Sequence, residues 1–429
     1  MRHWFSDLPA FRRDPLGFLL EKARAGTEPL EPLALGPKPV FLLRDPDLIR
    51  PLMRAGENEV DKGRLVHKLR PIVGLSSLVI SGEEHKRRRA ALHEHLARGE
   101  VERLIPQLSA EIRAFAGEIC RNRLFDPHQV SARLALRLIC TAVFGRRVLS
   151  PADEEALIVA VNAAEEDLAD EMFRVWPLTP WAAFARGKRR AAAKRMMSVV
   201  VERLRKNAAE TSALRSLEAL GLAPDDLRDE ILTLLLAGHH TTGSTAAWLL
   251  YHLAVQPGLG EAVAAEAARC SNRNGEITAE GLKKAELSYA FVREVLRLYP
   301  AAWWFSRELR TKAEFGGRKL PKGSSIIVSP WQLHRDPNHW ADPDAFRLDR
   351  SYTGRAYVPF GAGPRACIGM GLAMLELQLL ALELASAYRF EHIDEEPPGR
   401  PKASVTLIPP PMRLWVQVRQ SDAERASAA

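Results

Sequence analysis

Cysteine is scarce in this chain. There are four in 429 residues, Cys120, Cys140, Cys270 and Cys367, widely spaced and in no paired motif. That spacing excludes a disulfide framework and the knuckle-type metal sites. It also excludes an in-chain plant-type ferredoxin module, whose cluster takes four cysteines of its own. Long apolar runs are missing too: none reaches the ~20 residues of a membrane span. The start, Met1-Arg-His-Trp-Phe-Ser-Asp-Leu-Pro9, has no signal-peptide core, and Arg12, Arg13 and Asp14 interrupt the next few residues. The expectation is a cytoplasmic protein with no membrane anchor. Acidic residues are in deficit, 53 Asp and Glu against 61 Lys and Arg, for a formal charge of +8. The basic residues are spread out and make no nucleic-acid motif, so no nucleic-acid partner is expected, and the excess suits docking of an acidic protein instead. With no internal repeat or low-complexity linker, residues 1–429 read as a single domain.

What the chain does have is helical periodicity. The stretch 83–97 is helical and densely basic, and Leu, Ile, Val and Ala recur at helical spacing through 101–121, 130–145, 152–172 and 188–207, with further apolar helical runs at Asp225–Val255, Leu287–Tyr299 and Met370–Ala387. Strand-like stretches are few. Leu30–Leu35 and Pro39–Leu43 around Gly36-Pro37 predict a hairpin, Ser324–Pro330 a strand, and Val405–Ile408 with Met412–Val418 a late strand pair. Asp45-Pro46 opens a short helix ending before Gly56, and residues 57–80 lack periodicity and read as a long functional loop. The class is mainly α with a small β subdomain.

One stretch organises the rest: Phe360-Gly-Ala-Gly-Pro-Arg-Ala-Cys-Ile-Gly369. Its glycines allow sharp turns and close approach to a ligand. It runs into the apolar helix from Met370, so backbone N–H groups at a helix N-terminus should face Cys367 and favour its thiolate. One thiolate makes neither a zinc nor an iron–sulfur site, whereas haem iron needs a single protein ligand. The decapeptide resembles the haem-binding signature of the cytochrome P-450 family, Phe-x-x-Gly-x-Arg-x-Cys-x-Gly, at every fixed position. The resemblance implies one domain enclosing haem b (protoporphyrin IX iron), with Cys367 as axial ligand of the iron and Phe360, Arg365 and Gly369 around it.

Further blocks carry the same resemblance in the same order. His85 and Arg89, four apart on one helix face, stand where the family binds haem propionates; Arg307, seven after Pro300, matches another such position. Ala237-Gly-His-His-Thr-Thr242, a polar island in the apolar helix 225–255, resembles the oxygen-activation motif. Ala237 and Gly238 fall where that helix passes the haem, and Thr241 where a threonine steers protons. Here the chain departs from the pattern, because the acid position is His240. An imidazole, with an ordinary pKa of about 6.5, can still relay protons as a neutral–cation pair. Glu294-Val-Leu-Arg297 and Arg350 match the family's structural ion trio, with Leu348 in place of the usual proline.

The resemblance implies insertion of one atom of O2 into an organic substrate, with electrons from a separate ferredoxin or flavodoxin and its reductase. The expected substrate lining includes the 57–80 loop, the 172–185 lid, Ala301, Ala302, Trp303, Trp304, Phe305, Val405 and Thr406. Trp303, Trp304 and Phe305 are bulky and no charged anchor stands among the late-strand residues, which favours an apolar small molecule, a lipid or terpenoid. Two other functions stay open. One is a haem-thiolate peroxygenase or isomerase needing no external electrons, prompted by His240. The other is a non-catalytic haem-thiolate binding or sensor protein.

Overall fold

The computed structural model describes residues 4–119, 123–174 and 178–419. Cys120 and the lid residues 175–177 lie outside them. Seven helices matter for the site: α1 (Gly82–Leu96), α2 (Pro127–Phe144), α3 (Pro151–Phe173), α4 (Pro180–Lys206), α5 (Pro224–Val255), α6 (Glu286–Leu298) and α7 (Met370–Ala387). Their starts share one local rule. Proline occupies the first turn of α2, α3, α4 and α5, where its missing N–H costs nothing, and Asp126, Ser150 and Thr179 cap α2, α3 and α4 with a side-chain oxygen.

α5 is 32 residues long, so it spans about 48 Å at 1.5 Å per residue and threads the molecule. It packs closely on α2. A Cβ on Gly238 would lie 2.5 Å from the Ile139 side chain, and one on Gly243 would lie 2.9 Å from the Ala132 Cα. The helix runs unbroken through Gly238, whose bare side therefore serves packing against α2. α7 is the one described helix long and apolar enough to cross a membrane, and 67% of it is buried inside the protein. Its Leu, Ala and Glu376–Glu383 faces sit in the main core beside α5 and α6.

The β part is small. β1 (Leu30–Leu33), β2 (Val40–Leu43), β3 (Val60–Asp61), β4 (Phe305–Leu309) and β5 (Ser325–Val328) form one sheet in the order β1-β2-β5-β4-β3, antiparallel except for β2 beside β5. The 57–80 segment is not one loop: β3 opens it, and short helices Arg64–Lys68 and Arg70–Val73 follow. Pairing with β4 and turns too short to show periodicity explain the miss. The late strands do not pair with each other either. β6 (Tyr388–His392) pairs with β9 (Leu414–Val418), while β7 (Lys402–Ala403) pairs with β8 (Leu407–Ile408). Strand partners depend on three-dimensional register, which local patterning does not carry.

Candidate functional site

The cysteine loop is shaped by Gly361 and Gly363, at φ +69° and +71°, a region that favours glycine. A Cβ on Gly363 would also meet the Met53 carbonyl at 2.8 Å. The Cys367 N–H donates to the Phe360 carbonyl at 2.9 Å, closing the loop, and the Gly369 N–H turns toward the Cys367 sulfur. Cys367 is deep in the molecule yet its side chain is accessible, so the sulfur lies on an inward-facing concave surface. Burial raises its thiol above the ordinary value, with Gly369 and Arg89 pulling the other way.

α5 carries the complementary surface. Between Asp229 and Leu250 every residue is buried except Leu236, Ala237, Gly238 and Thr241. Ala237 is exposed in mid-helix, and Thr241 lies one turn further on the same face, its hydroxyl donating to the Ala237 carbonyl at 2.6 Å. One open window in a buried helix, floored by a methyl group, leaves room for a flat group.

Cations gather at the edge of this surface. The Arg89 Nη2 donates to the Ala366 carbonyl at 2.9 Å, tying α1 to the cysteine loop. Arg365 reaches the Ile80 carbonyl at 3.2 Å, Ser81 Oγ at 3.2 Å and Glu57 at 2.5 Å. Burial, then Arg365, Lys62 and Arg89, push the His85 imidazole down to about 4. Burial and Arg365 push Arg307 down to about 10. Lys62, which the sequence does not single out, is buried with its ammonium on the Leu78 carbonyl at 2.6 Å, and burial and Arg365 bring it down to about 7. Arg89, Arg307, Arg365 and Lys62 thus crowd around His85, with Glu57 and Asp61 as carboxylates that offset them. Such an excess seats a dianion.

The residues fit a haem. Cys367 would hold the iron; His85, Arg89, Arg307 and Arg365 would meet the two propionates; Phe360, Ala237 and Gly369 would pack beside it. When bound, haem supplies the oxygen activation and the oxidation of the substrate.

Behind the open window is a buried polar island. His240 Nδ1 lies 2.8 Å from Glu165 of α3, and Glu165 accepts from the Thr406 hydroxyl at 3.1 Å. Thr242 donates to Glu376 of α7 at 3.4 Å, and burial pushes that carboxyl up to about 8, against the pull of Thr242. His239 has no partner on either nitrogen among the described residues, and burial, then His240, holds it well below the ordinary imidazole value. Among the described residues no cluster of His, Cys, Asp and Glu could hold a separate metal ion. Glu165 and Glu376 were not legible as site residues, since neither has a spacing relation to the motif it serves.

The ion trio comes together around Glu294, which accepts five hydrogen bonds: two from Arg297 at 2.8 Å, and one each from Arg350 at 3.0 Å, the Arg347 N–H at 2.9 Å and the Tyr352 hydroxyl at 2.7 Å. Arg297 also donates to the carbonyls of His334, Pro343 and Ala345. His334 accepts from the Val358 N–H at Nε2, which leaves Nδ1–H to donate to the Arg297 carbonyl.

The expected substrate lining divides. Trp303 is fully buried, its Nε1 donating to the Ser404 carbonyl at 2.9 Å, so it is a core residue of the β subdomain and lines no pocket. Trp304 packs edge-on against Phe11 in the same cluster. Phe305 lies near the Arg307 guanidinium in a second cluster. Ala301 is buried and its carbonyl accepts from Leu407, whereas Ala302 is exposed. Val405 packs on the main core with α5, and Thr406 is bound to Glu165.

Comparison with known proteins places the fold and the family. Cyclooctatin synthase from Streptomyces melanosporofaciens is 29% identical over 95% of this chain and 92% of its own length. Cyclooctat-9-en-7-ol 5-monooxygenase from the same organism is 28% identical over 90% and 87%. The crystal structure of a six-coordinated cytochrome P450 from Thermus thermophilus superposes with a TM-score of 0.75 at 27% identity, covering 94% of this chain and 98% of that one. The cytochrome P450 family model matches residues 4–416. The chain therefore belongs to the cytochrome P450 family and is a haem-dependent monooxygenase.

Proposed function

We propose that this monooxygenase, acting in the cytoplasm, oxidises an apolar terpenoid- or lipid-like molecule with electrons from a separate ferredoxin or flavodoxin and its reductase. Similarity to an enzyme whose name specifies oxidation of cyclooctat-9-en-7-ol, an unsaturated alcohol, carries the substrate class. The open stretch of α5 supports it, since Ala237 and Leu236 offer methyl groups and no charge. In this reading Cys367 is the iron ligand, the cations around Arg365 seat the propionates, and Thr241 holds a hydroxyl on the open face where protons are needed. Thr241 shares its proton with the Ala237 carbonyl at rest and must release it to act. The Glu294 trio braces the loop side and takes no part in the chemistry.

The test is the reduced, carbon-monoxide-bound absorption spectrum, followed by a binding screen of cyclic terpenoid alcohols against fatty acids. A strongly red-shifted Soret band, lost in Cys367→Ser, is expected, with spin-state changes on terpenoids and product only when a reductase system is supplied. Product from hydrogen peroxide alone would favour the peroxygenase reading instead. A histidine-type Soret band would overturn the ligand assignment.

A further inference from the structure

His240 stands at the position where this motif ordinarily carries a carboxylic acid, and a carboxylate from α3, itself held by a third element, meets it there. Adjacent helical residues point about 100° apart, so Thr241 takes the open face of α5 while His240 is turned toward α3. There its Nδ1 is 2.8 Å from Glu165, a residue 75 positions earlier with no sequence relation to the motif. The hydroxyl of Thr406, on the turn between β7 and β8, donates to the other oxygen of the same carboxylate at 3.1 Å. The carboxylate is thereby held from two sides. Nε2 of His240 is buried and has no partner among the described residues.

We propose that Glu165 is a positioning residue that supplies, from another helix, the carboxylate that the acid position lacks, making with His240 an imidazole–carboxylate dyad whose Nε2 delivers protons toward Thr241. The inference rests on the monooxygenase reading. Glu165 keeps the proton on Nδ1, so the ring's exchangeable proton sits on Nε2. A proton given up there is replaced from solvent, and the dyad ends each cycle as it began.

The surroundings keep Glu165 a carboxylate. The other titratable groups facing it are His128 of α2 and His239 of α5, both held below the ordinary imidazole value by burial, with His240 adding to that effect. Burial works to raise the Glu165 carboxyl, yet the hydrogen bond and charge of His240, then Thr406 and His128, hold it below its usual range. A carboxylate carried by residue 240 itself would be a single acid. The dyad places the negative charge one imidazole ring further from the reacting centre, and the ring can carry the proton through the intervening distance.

The experiment compares the wild type with Glu165→Gln as holoenzymes. Histidine-labelled nitrogen NMR of the reduced, carbon-monoxide-bound form should show the His240 proton held on Nδ1 in the wild type and redistributed between the two ring nitrogens in the variant. Oxygen-dependent reductant consumption with a surrogate ferredoxin and reductase should fall by about tenfold or more in the variant. The double variant His240→Asp with Glu165→Gln should restore most of that rate, because the carboxylate then stands at residue 240. A tautomer that does not change, rates that match, or a double variant that is not rescued would each show that Glu165 is only a strut between α3 and α5. If neither protein consumes reductant, the electron-transfer reading above fails, while the NMR tautomer still decides the dyad.

Discussion

Two buried polar clusters lie on different helices of this fold, and they are built to opposite rules. Around Glu294 the bonding is saturated: the carboxylate takes five donors, and Arg297 is spent on Glu294 and on three carbonyls from the 334–345 stretch. On α5 the bonding is sparse. Both nitrogens of His239, Nε2 of His240 and one oxygen of Glu376 are buried without partners among the described residues. A saturated buried network has one arrangement and rigidifies its surroundings, whereas each unpaired buried group is costly to keep. The same chain thus holds one polar cluster fully bonded and another with bonding capacity to spare.

The contrast can be broken most severely at its saturated end. Glu294→Ala leaves the Arg297 guanidinium buried and unpaired, and unfolding in denaturant should show a loss of about 3–5 kcal/mol together with poor haem retention. At the sparse end the expected effect has the opposite sign. Burial pushes the Glu376 carboxyl from 4.5 up to about 8, so the contribution of this group to stability is fully present below about 4.5 and is lost as pH rises toward 8. Glu376→Gln keeps the shape without the ionisation. It should be more stable than the wild type at pH 8, by on the order of 3 kcal/mol, and nearly equal to it at pH 5. Equal stability of the two proteins at pH 8 would mean that Glu376 is not held neutral. The mildest probe removes a single spoke. Tyr352→Phe deletes one of the five donors to Glu294, and a loss of about 1.5 kcal/mol is expected with an unchanged carbon-monoxide spectrum.

Much of this was readable in the chain itself. The helices announce themselves by period and by their Pro-led starts, and the cysteine loop by glycines that the structure uses at positive φ. What was misread failed for physical reasons. Trp303 looked like lining because a bulky aromatic beside Ala301 and Ala302 suits a pocket wall, yet it is sealed against Ser404, about a hundred residues away in sequence. The 57–80 stretch looked like loop because its helices are a turn or so long, below the length at which periodicity shows. Glu165, Lys62 and Glu376 carried no signal, since an isolated charged residue in a helix or loop is most often solvated.

The sequence by itself determined the local chemistry: which residue can ligate, where the chain can turn, which helix face is apolar, and that an acid is missing from position 240. These depend on neighbours within a few residues, where spacing translates directly into geometry. Tertiary structure alone decided which distant charges meet. It set Glu165 beside His240, Glu376 beneath Thr242 and Lys62 among the arginines, because burial and register, not spacing, choose the partner of a buried charge.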